Sequence, residues 1–299
     1  MWREWAFFPA DAYARAMPLR SEPDPRTLEP GDAFGEYVVD EQLGEGGMGI
    51  VFRAIREDGA VVALKVLKPG LVRDEHATRR FAREARAAAA VDHPHLIDVI
   101  EAGDVDGTGF LAMRYVAGRS LDDRISEHGP LPVEDTTRIV AEIASALDAL
   151  HAAGLVHRDV KPSNILLDDE RGALLTDFGL AKSRDYSMLT APGQMLGTLD
   201  YIAPEMLRGS EPGPRADLYA LGCVVFECLA GTPPFGGLSM FEVGMAHLGD
   251  QPADPCAERD DAPADLSQAV LAALAKQPDA RPPTATAYAD MLIAAARSG

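Results

Sequence analysis

The sequence predicts an α+β chain of two lobes, a small β-rich lobe followed by a larger, mainly helical one. Three observations lead there. Between residues 34 and 72 the chain is a series of short runs rich in Val, Ile and aromatic residues and punctuated by glycine, which is strand chemistry. After residue 116, apolar residues recur at helical spacing. The chain has 299 residues and 47% hydrophobic content, more than one small domain needs, so two lobes are the natural expectation.

Residues 1–33 read as an N-terminal extension and linker. The segment MWREWAFFPADAYARAM is aromatic but carries Arg3, Glu4, Asp11 and Arg15, so it lacks the unbroken apolar core of a signal peptide. Pro18, Pro23, Pro25 and Pro30 then mark an extended linker. The small lobe is expected over 34–116. EYVVDEQL, GIVFRAIR and AVVALKVL are its first strands, and residues 75–91 form an alanine-rich helix that must stop before Pro94. HLIDVIEAG and GFLAMRYV restore strand character. The large lobe is expected over 117–299. Ile139, Ile143, Leu147 and Leu150 make one apolar helix face, with Gly154 as its C-terminal stop. ADLYALGCVVFECLAG is apolar nearly all round and should be a buried helix. The last helices run from about 265 to 296.

Composition excludes several function classes. The net charge of −19 disfavours a nucleic-acid partner, because phosphate binding needs a basic face. It also disfavours contact with an anionic membrane surface, and no stretch of 18 apolar residues exists to span one. Cys223, Cys228 and Cys256 are odd in number and lack metal-finger spacing, so buried free thiols in a reducing cytoplasm are expected.

The chemistry concentrates in a few motifs. GEGGMG at 44–49 is a G-x-G-x-x-G, which is weak alone because dinucleotide-binding folds share it. There a helix follows the glycines and an acid lies about 20 residues on; here IVFRAI reads as a strand, and Lys65 stands downstream. A strand–glycine turn–strand hairpin beside a lysine suits the phosphates of a nucleotide, since absent side chains let backbone N–H groups approach an anion. Lys65 lies at the centre of the apolar VALKVL, so it needs an anionic partner, and Glu84 is the candidate. In VHRDVKPSN, an acid between two cations could be a solvated turn or a general base. Asp159, Lys161 and Asn164 are spaced so that one loop could aim all three into a cleft, and Asp177 follows in DFG. Asn164 and Asp177 are hard oxygen donors suited to magnesium, leaving Asp159 to accept a hydroxyl proton and Lys161 to neutralise phosphoryl charge.

In combination and in this order, GEGGMG, VALK, HRDVKPSN, DFG and APE closely resemble the protein kinase family, and more narrowly the bacterial eukaryotic-like serine/threonine kinases. The resemblance runs from about residue 34 to 296. It implies the two-lobed protein kinase fold and an ATP-dependent, Mg2+-dependent enzyme (Mn2+ could substitute) acting on protein substrates. It implies that Lys65 pairs with Glu84 and the α/β-phosphates, with Asp159 as catalytic base beside Lys161 and Asn164 and Asp177 as metal ligands. Gly44, Gly46 and Gly49 would lie over the phosphates, with Leu43, Glu45, Gly47, Met48 and Ile50 completing that stretch. Val51 and Ala63 would contact the adenine, Met113 would back its pocket, and Arg114 to Val116 would form the hinge. Families of this kind often carry an acid where Arg114 stands; adenine contacts there are usually made by backbone, so function is not put in doubt.

Lys161 and GTLDYIAPE resemble the serine/threonine class, with Thr198 contacting Asp159 and Lys161. Glu205–Arg281 matches a structural ion pair, and Asp217 the helix acid that steadies the catalytic loop. Arg158 commonly meets a phosphate on the activation segment, here 177–205, with Thr190 first and Ser187 second as the modified residue. The resemblance also allows a homodimer through the small lobe. A catalytically silent scaffold is disfavoured because Lys65, Asp159, Asn164 and Asp177 are all kept. A small-molecule phosphotransferase would leave GTLDYIAPE unexplained.

Overall fold

A computed structural model describes residue 24 and residues 27–47, 49–68, 85, 87–177 and 199–298. The small lobe is built on an antiparallel sheet of β1 (Ala33–Phe34), β2 (Tyr37–Glu45), β3 (Gly49–Arg56), β4 (Val61–Leu67), β5 (Val99–Val105) and β6 (Thr108–Arg114). The strand order is β1-β2-β3-β4-β6-β5. The runs expected to be strands are strands over most of their length, except that HLIDVIEAG becomes strand only from Val99. The helix expected over 75–91 lies mostly outside the described residues; Ala85 and residues 87–89 are helical, and the helix has ended by Ala90, ahead of Pro94.

Side chains alternate across a strand, and this sheet uses both faces. Phe52, Ala54, Val62, Leu64, Val66, Phe110 and Ala112 turn into one core with Phe34 and Tyr37. Phe110 meets Phe34 and Tyr37 edge-on, with ring centroids 5.8 and 5.6 Å apart. Leu111 and Met113 turn the other way and join the large-lobe core. Ala63 and Lys65 alternate with Val62, Leu64 and Val66, so they also face the cleft between lobes. Part of the stretch read as linker is laid along this sheet. Leu28 packs on the small-lobe core, Gly31 N–H donates to the Val39 carbonyl, and Val39 N–H donates to the Asp32 carbonyl.

The large lobe contains α1 (Leu121–His128), α2 (Val133–Ala152), α3 (Pro204–Leu207), α4 (Pro214–Ala230), α5 (Met240–Gly249), α6 (Ala264–Ala273) and α7 (Ala285–Ala296). Ile139, Ile143, Leu147 and Leu150 are all buried on α2, and Gly154 follows with φ 76°. Every residue of α4 from Ala216 to Leu229 is buried, as its all-round apolarity requires. It stops at Gly231, in the left-handed conformation that glycine adopts without steric cost. Cys223 and Cys228 are buried free thiols of α4 and Cys256 is a half-buried one; burial pushes all three thiol pKa values up. No helix among the described residues is long and apolar enough to cross a membrane.

A second sheet of β7 (Arg119–Ser120), β8 (Ile165–Asp168) and β9 (Gly172–Leu175) lies inside the region expected to be mainly helical. ILLD and GALL are four-residue apolar runs, too short to show either period, so sequence patterning does not resolve them.

Glu205 and Arg281 form the expected ion pair. Arg281 Nη1 and Nη2 donate to the two Glu205 carboxylate oxygens at 2.7 and 2.8 Å, Nε donates to the Ala275 carbonyl at 2.9 Å, and the Arg281 side chain is fully buried. Arg281→Leu strands the Glu205 carboxylate, so it should lower unfolding free energy by about 3–5 kcal/mol, and adding Glu205→Leu should recover part of it. Urea denaturation of both variants checks this; a loss below about 1 kcal/mol, the range of an exposed pair, would contradict it.

Candidate active site

The glycine turn joins β2 to β3, with Gly44 opposite Val51 and Glu45 opposite Ile50. The three glycines differ in what they permit. A Cβ on Gly49 would lie 2.3 Å from the Val66 carbonyl oxygen, so strand packing alone requires glycine there. A Cβ on Gly44 or Gly46 would meet no described residue within 4 Å. Among the described residues, nothing at those two positions keeps a ligand from approaching the backbone. Met48 lies outside the described residues. Leu43 is exposed near the end of β2, Gly47 is in the turn, and Ile50 is buried in the small-lobe core rather than turned to the cleft.

Lys65 pairs with Val51 on β3 and with Leu111 on β6. Ala63 pairs with Met113, which is buried and packs under Thr176. Lys65 Nζ lies 2.7 Å from Asp177 Oδ1, so a small-lobe cation and a large-lobe carboxylate meet across the cleft. Both are partly buried, which strengthens the attraction relative to a surface pair. Glu84, the partner expected for Lys65, lies outside the described residues.

The loop 157–164 is fixed from three sides. Asp217, buried on α4, accepts from the His157 and Arg158 backbone amides, each at 2.8 Å, and sits 2.8 Å from His151 Nε2. His157 is fully enclosed. Its Nε2 faces the Thr176 carbonyl at 3.0 Å and its Nδ1 accepts from Asp159 N–H at 3.3 Å. One neutral tautomer, with the proton on Nε2, satisfies both contacts, and burial lowers the imidazole pKa in the same direction. Asn164 closes the loop: its amide nitrogen donates to the Asp159 carbonyl at 2.8 Å and to Asp159 Oδ2 at 3.1 Å. Lys161 Nζ lies 3.4 Å from the same Oδ2. Thr176 N–H donates to the Asn164 carbonyl at 2.9 Å, tying the residue before Asp177 to the loop.

Two non-glycine residues here have left-handed backbones, Arg158 at φ 66° and Asp177 at φ 61°. Each costs about 1–3 kcal/mol and persists only where surrounding contacts over-determine it. The Asp217 carboxylate supplies such contacts for Arg158.

The residues expected to act together are therefore brought together where they are described. Asn164 commits its nitrogen to Asp159, which leaves its oxygen as the end that can ligate a cation. That oxygen and the Asp177 carboxylate are hard oxygen donors, the residue chemistry that fits magnesium. Thr198, Ser187 and Thr190 lie outside the described residues. His157 and His151 are functional braces that the sequence does not single out, because a lone imidazole in a polar loop or at a helix end has no periodic signal. On α4, Glu227 accepts from the Tyr201 hydroxyl at 2.5 Å, and burial pushes its carboxyl up to about 7.

Comparison with known proteins finds similar chains and folds. The family model described as the protein kinase domain matches residues 37–291. The serine/threonine-protein kinase pkn3 of Myxococcus xanthus is 41% identical over 266 residues, covering 85% of this chain and 48% of that protein. The serine/threonine-protein kinase PknH of Mycobacterium tuberculosis is 40% identical over 254 residues, covering 84% and 40%. The chain thus spans about half the length, or less, of these curated relatives. The crystal structure of the Mycobacterium tuberculosis PknI kinase domain superposes with a TM-score of 0.71 at 34% identity, covering 89% of this chain and 98% of that one. A crystal structure of Rad53 residues 1–466 in complex with AMP-PNP superposes with a TM-score of 0.71 at 26% identity, covering 86% and 65%.

Proposed function

The chain belongs to the protein kinase family, and from that premise we propose that it transfers the γ-phosphate of ATP to serine and threonine hydroxyls of protein substrates. The observation that carries this reading is the convergence across the cleft. Lys65 from the small lobe meets Asp177, while Asp159, Lys161 and Asn164 are tied to the same point through Thr176. Phosphoryl transfer asks a protein for positioning and charge neutralisation more than for covalent chemistry, and these groups supply both.

Each residue then has a task. The substrate hydroxyl gives its proton to the Asp159 carboxylate, which Asn164 and Lys161 hold in place. Lys65 orients the α- and β-phosphates, and Lys161 stabilises charge on the phosphoryl group in flight. Asn164 and Asp177 would hold magnesium, which would supply positive charge to neutralise the phosphates. Val51 and Ala63 offer an apolar face to the adenine in front of Met113, and the backbone from Arg114 to Val116 supplies its hydrogen bonds. The similarity to pkn3 and PknH, both named serine/threonine-protein kinases, supports the choice of hydroxyl. Arg158 would receive a phosphate on Thr190, or else on Ser187, charging and ordering the activation segment.

The test is transfer from labelled ATP and magnesium to a generic basic protein, followed by phosphopeptide mapping of the enzyme. Label is expected on serine or threonine of the substrate and on residues 183–198 of the enzyme. No transfer would overturn the activity; labelling of the enzyme confined outside 183–198 would overturn the regulatory role of Thr190 and Ser187.

A further inference from the structure

The junction between the lobes carries four charged side chains of alternating sign that the phosphotransfer chemistry does not use. Asp98 precedes β5, Arg114 ends β6, Asp168 ends β8 and Arg171 lies in the β8–β9 turn. Arg114 Nη2 lies 3.0 Å from Asp168 Oδ2, and Arg171 Nη1 lies 2.7 Å from Asp98 Oδ2. Asp168 is the organiser. Its Oδ1 accepts from the Glu170 and Arg171 amides at 2.8 and 3.2 Å, which shapes the turn that presents Arg171. Those amides, Glu170's first, hold its carboxyl below the usual range, so it is ionised opposite Arg114.

The turn is itself anchored to the large lobe. Ala173 N–H donates to Glu142 Oε2 of α2 at 2.7 Å. On the other side, Arg114 N–H donates to the Asp98 carbonyl at 2.9 Å. Beside the ion pairs runs a backbone pivot, with Ile97 N–H to the Leu175 carbonyl at 3.0 Å and Leu175 N–H to the His95 carbonyl at 2.9 Å. Rotation of the small lobe about this pivot moves β6 against β8. Such rotation must stretch the Arg114–Asp168 pair, as it must Lys65–Asp177 and Arg171–Asp98, and of these Arg114–Asp168 is the one made by a hinge residue.

We propose that Arg114 and Asp168 form an ion-pair clasp across the hinge that restrains lobe opening and thereby slows nucleotide release. They are positioning residues: neither side chain need touch the reacting atoms. The nucleotide part rests on the function proposed above. An arginine at the hinge thus gains a use, since it puts a cation where the large lobe offers Asp168.

The experiment follows release of the fluorescent nucleotide mant-ADP from wild type, Arg114→Gln, Asp168→Asn and the double variant, at low and high salt. Asp168→Asn keeps an oxygen for the Glu170 and Arg171 amides. Each single variant should release nucleotide about two- to fivefold faster at low salt, the span expected for a partly exposed pair. The double variant should be no faster than the faster single one, because both remove the same contact. Salt should speed release from wild type and leave the variants nearly unchanged. Unchanged release rates, or single effects that multiply in the double variant, would overturn the proposal; a lowered Tm with unchanged release would assign the pair a structural role only. A nucleotide-free measurement runs beside it: spin labels at Asp58→Cys and Asp260→Cys in a Cys256→Ser background should report a wider inter-lobe distance distribution in Asp168→Asn. Failure of every variant to bind mant-ADP would remove the nucleotide reading, while the distance distribution would still decide the clasp.

Discussion

Asp159→Asn should lower phosphoryl transfer by about 10²–10⁴-fold, the span typical of a lost general base, with nucleotide affinity and Tm nearly unchanged. The contrast follows from what the side chain touches. Asp159 Oδ2 accepts from Asn164 at 3.1 Å and faces Lys161 at 3.4 Å. An asparagine keeps an acceptor oxygen for Asn164, so the loop retains its shape, and the backbone carbonyl that Asn164 also grips is untouched. What disappears is the negative charge that can take a proton. Single-turnover transfer measured beside equilibrium ATP binding separates the two. Full turnover by the variant would mean that Asp159 is not the base.

Lys65→Met should also abolish transfer by about 10²–10³-fold, the loss seen when one preorganised electrostatic contact is removed, but with a different signature. Methionine matches the unbranched stem, and Leu64 and Val66 on either side stay in the small-lobe core, so the strand should persist. The Asp177 carboxylate loses the cation 2.7 Å away, and the phosphates lose their lysine. Nucleotide binding should therefore weaken together with transfer, unlike in Asp159→Asn. Circular dichroism verifies the fold, and titration with ATP measures the affinity. Wild-type affinity combined with wild-type turnover would remove Lys65 from the site.

Much of this was legible in the sequence because the signals are local. Short runs rich in Val, Ile and aromatic residues, punctuated by glycine, mark β2, β3 and β4. The four, four, three spacing of Ile139, Ile143, Leu147 and Leu150 marks the buried side of α2. Residue type and order identify Asp159, Asn164 and Asp177 as one constellation. What could not be read has a physical reason in each case. β8 and β9 are too short for a period to show. The lay of residues 28–33 along β2 depends on backbone hydrogen bonds that composition does not encode. Ile50 lies within the glycine-rich stretch yet faces the core, because strand alternation, not proximity to the motif, decides its side. His157 works through its tautomer, and the Arg114–Asp168 pair joins residues 54 positions apart; neither leaves a pattern in a single chain.

The grip of Asp217 on the loop also bears on how this kinase domain fails. Asp217 belongs to the most enclosed helix among the described residues, and its carboxylate holds the two amides ahead of Asp159. The loop therefore has no low-energy route to fray by itself: freeing the His157 and Arg158 amides means disturbing the helix on which the whole lobe is assembled. Its opening is coupled to global unfolding, unlike a lid that can breathe while the rest of the molecule stays intact. For this part of the site, inactivation by heat and loss of the native state should be one cooperative event.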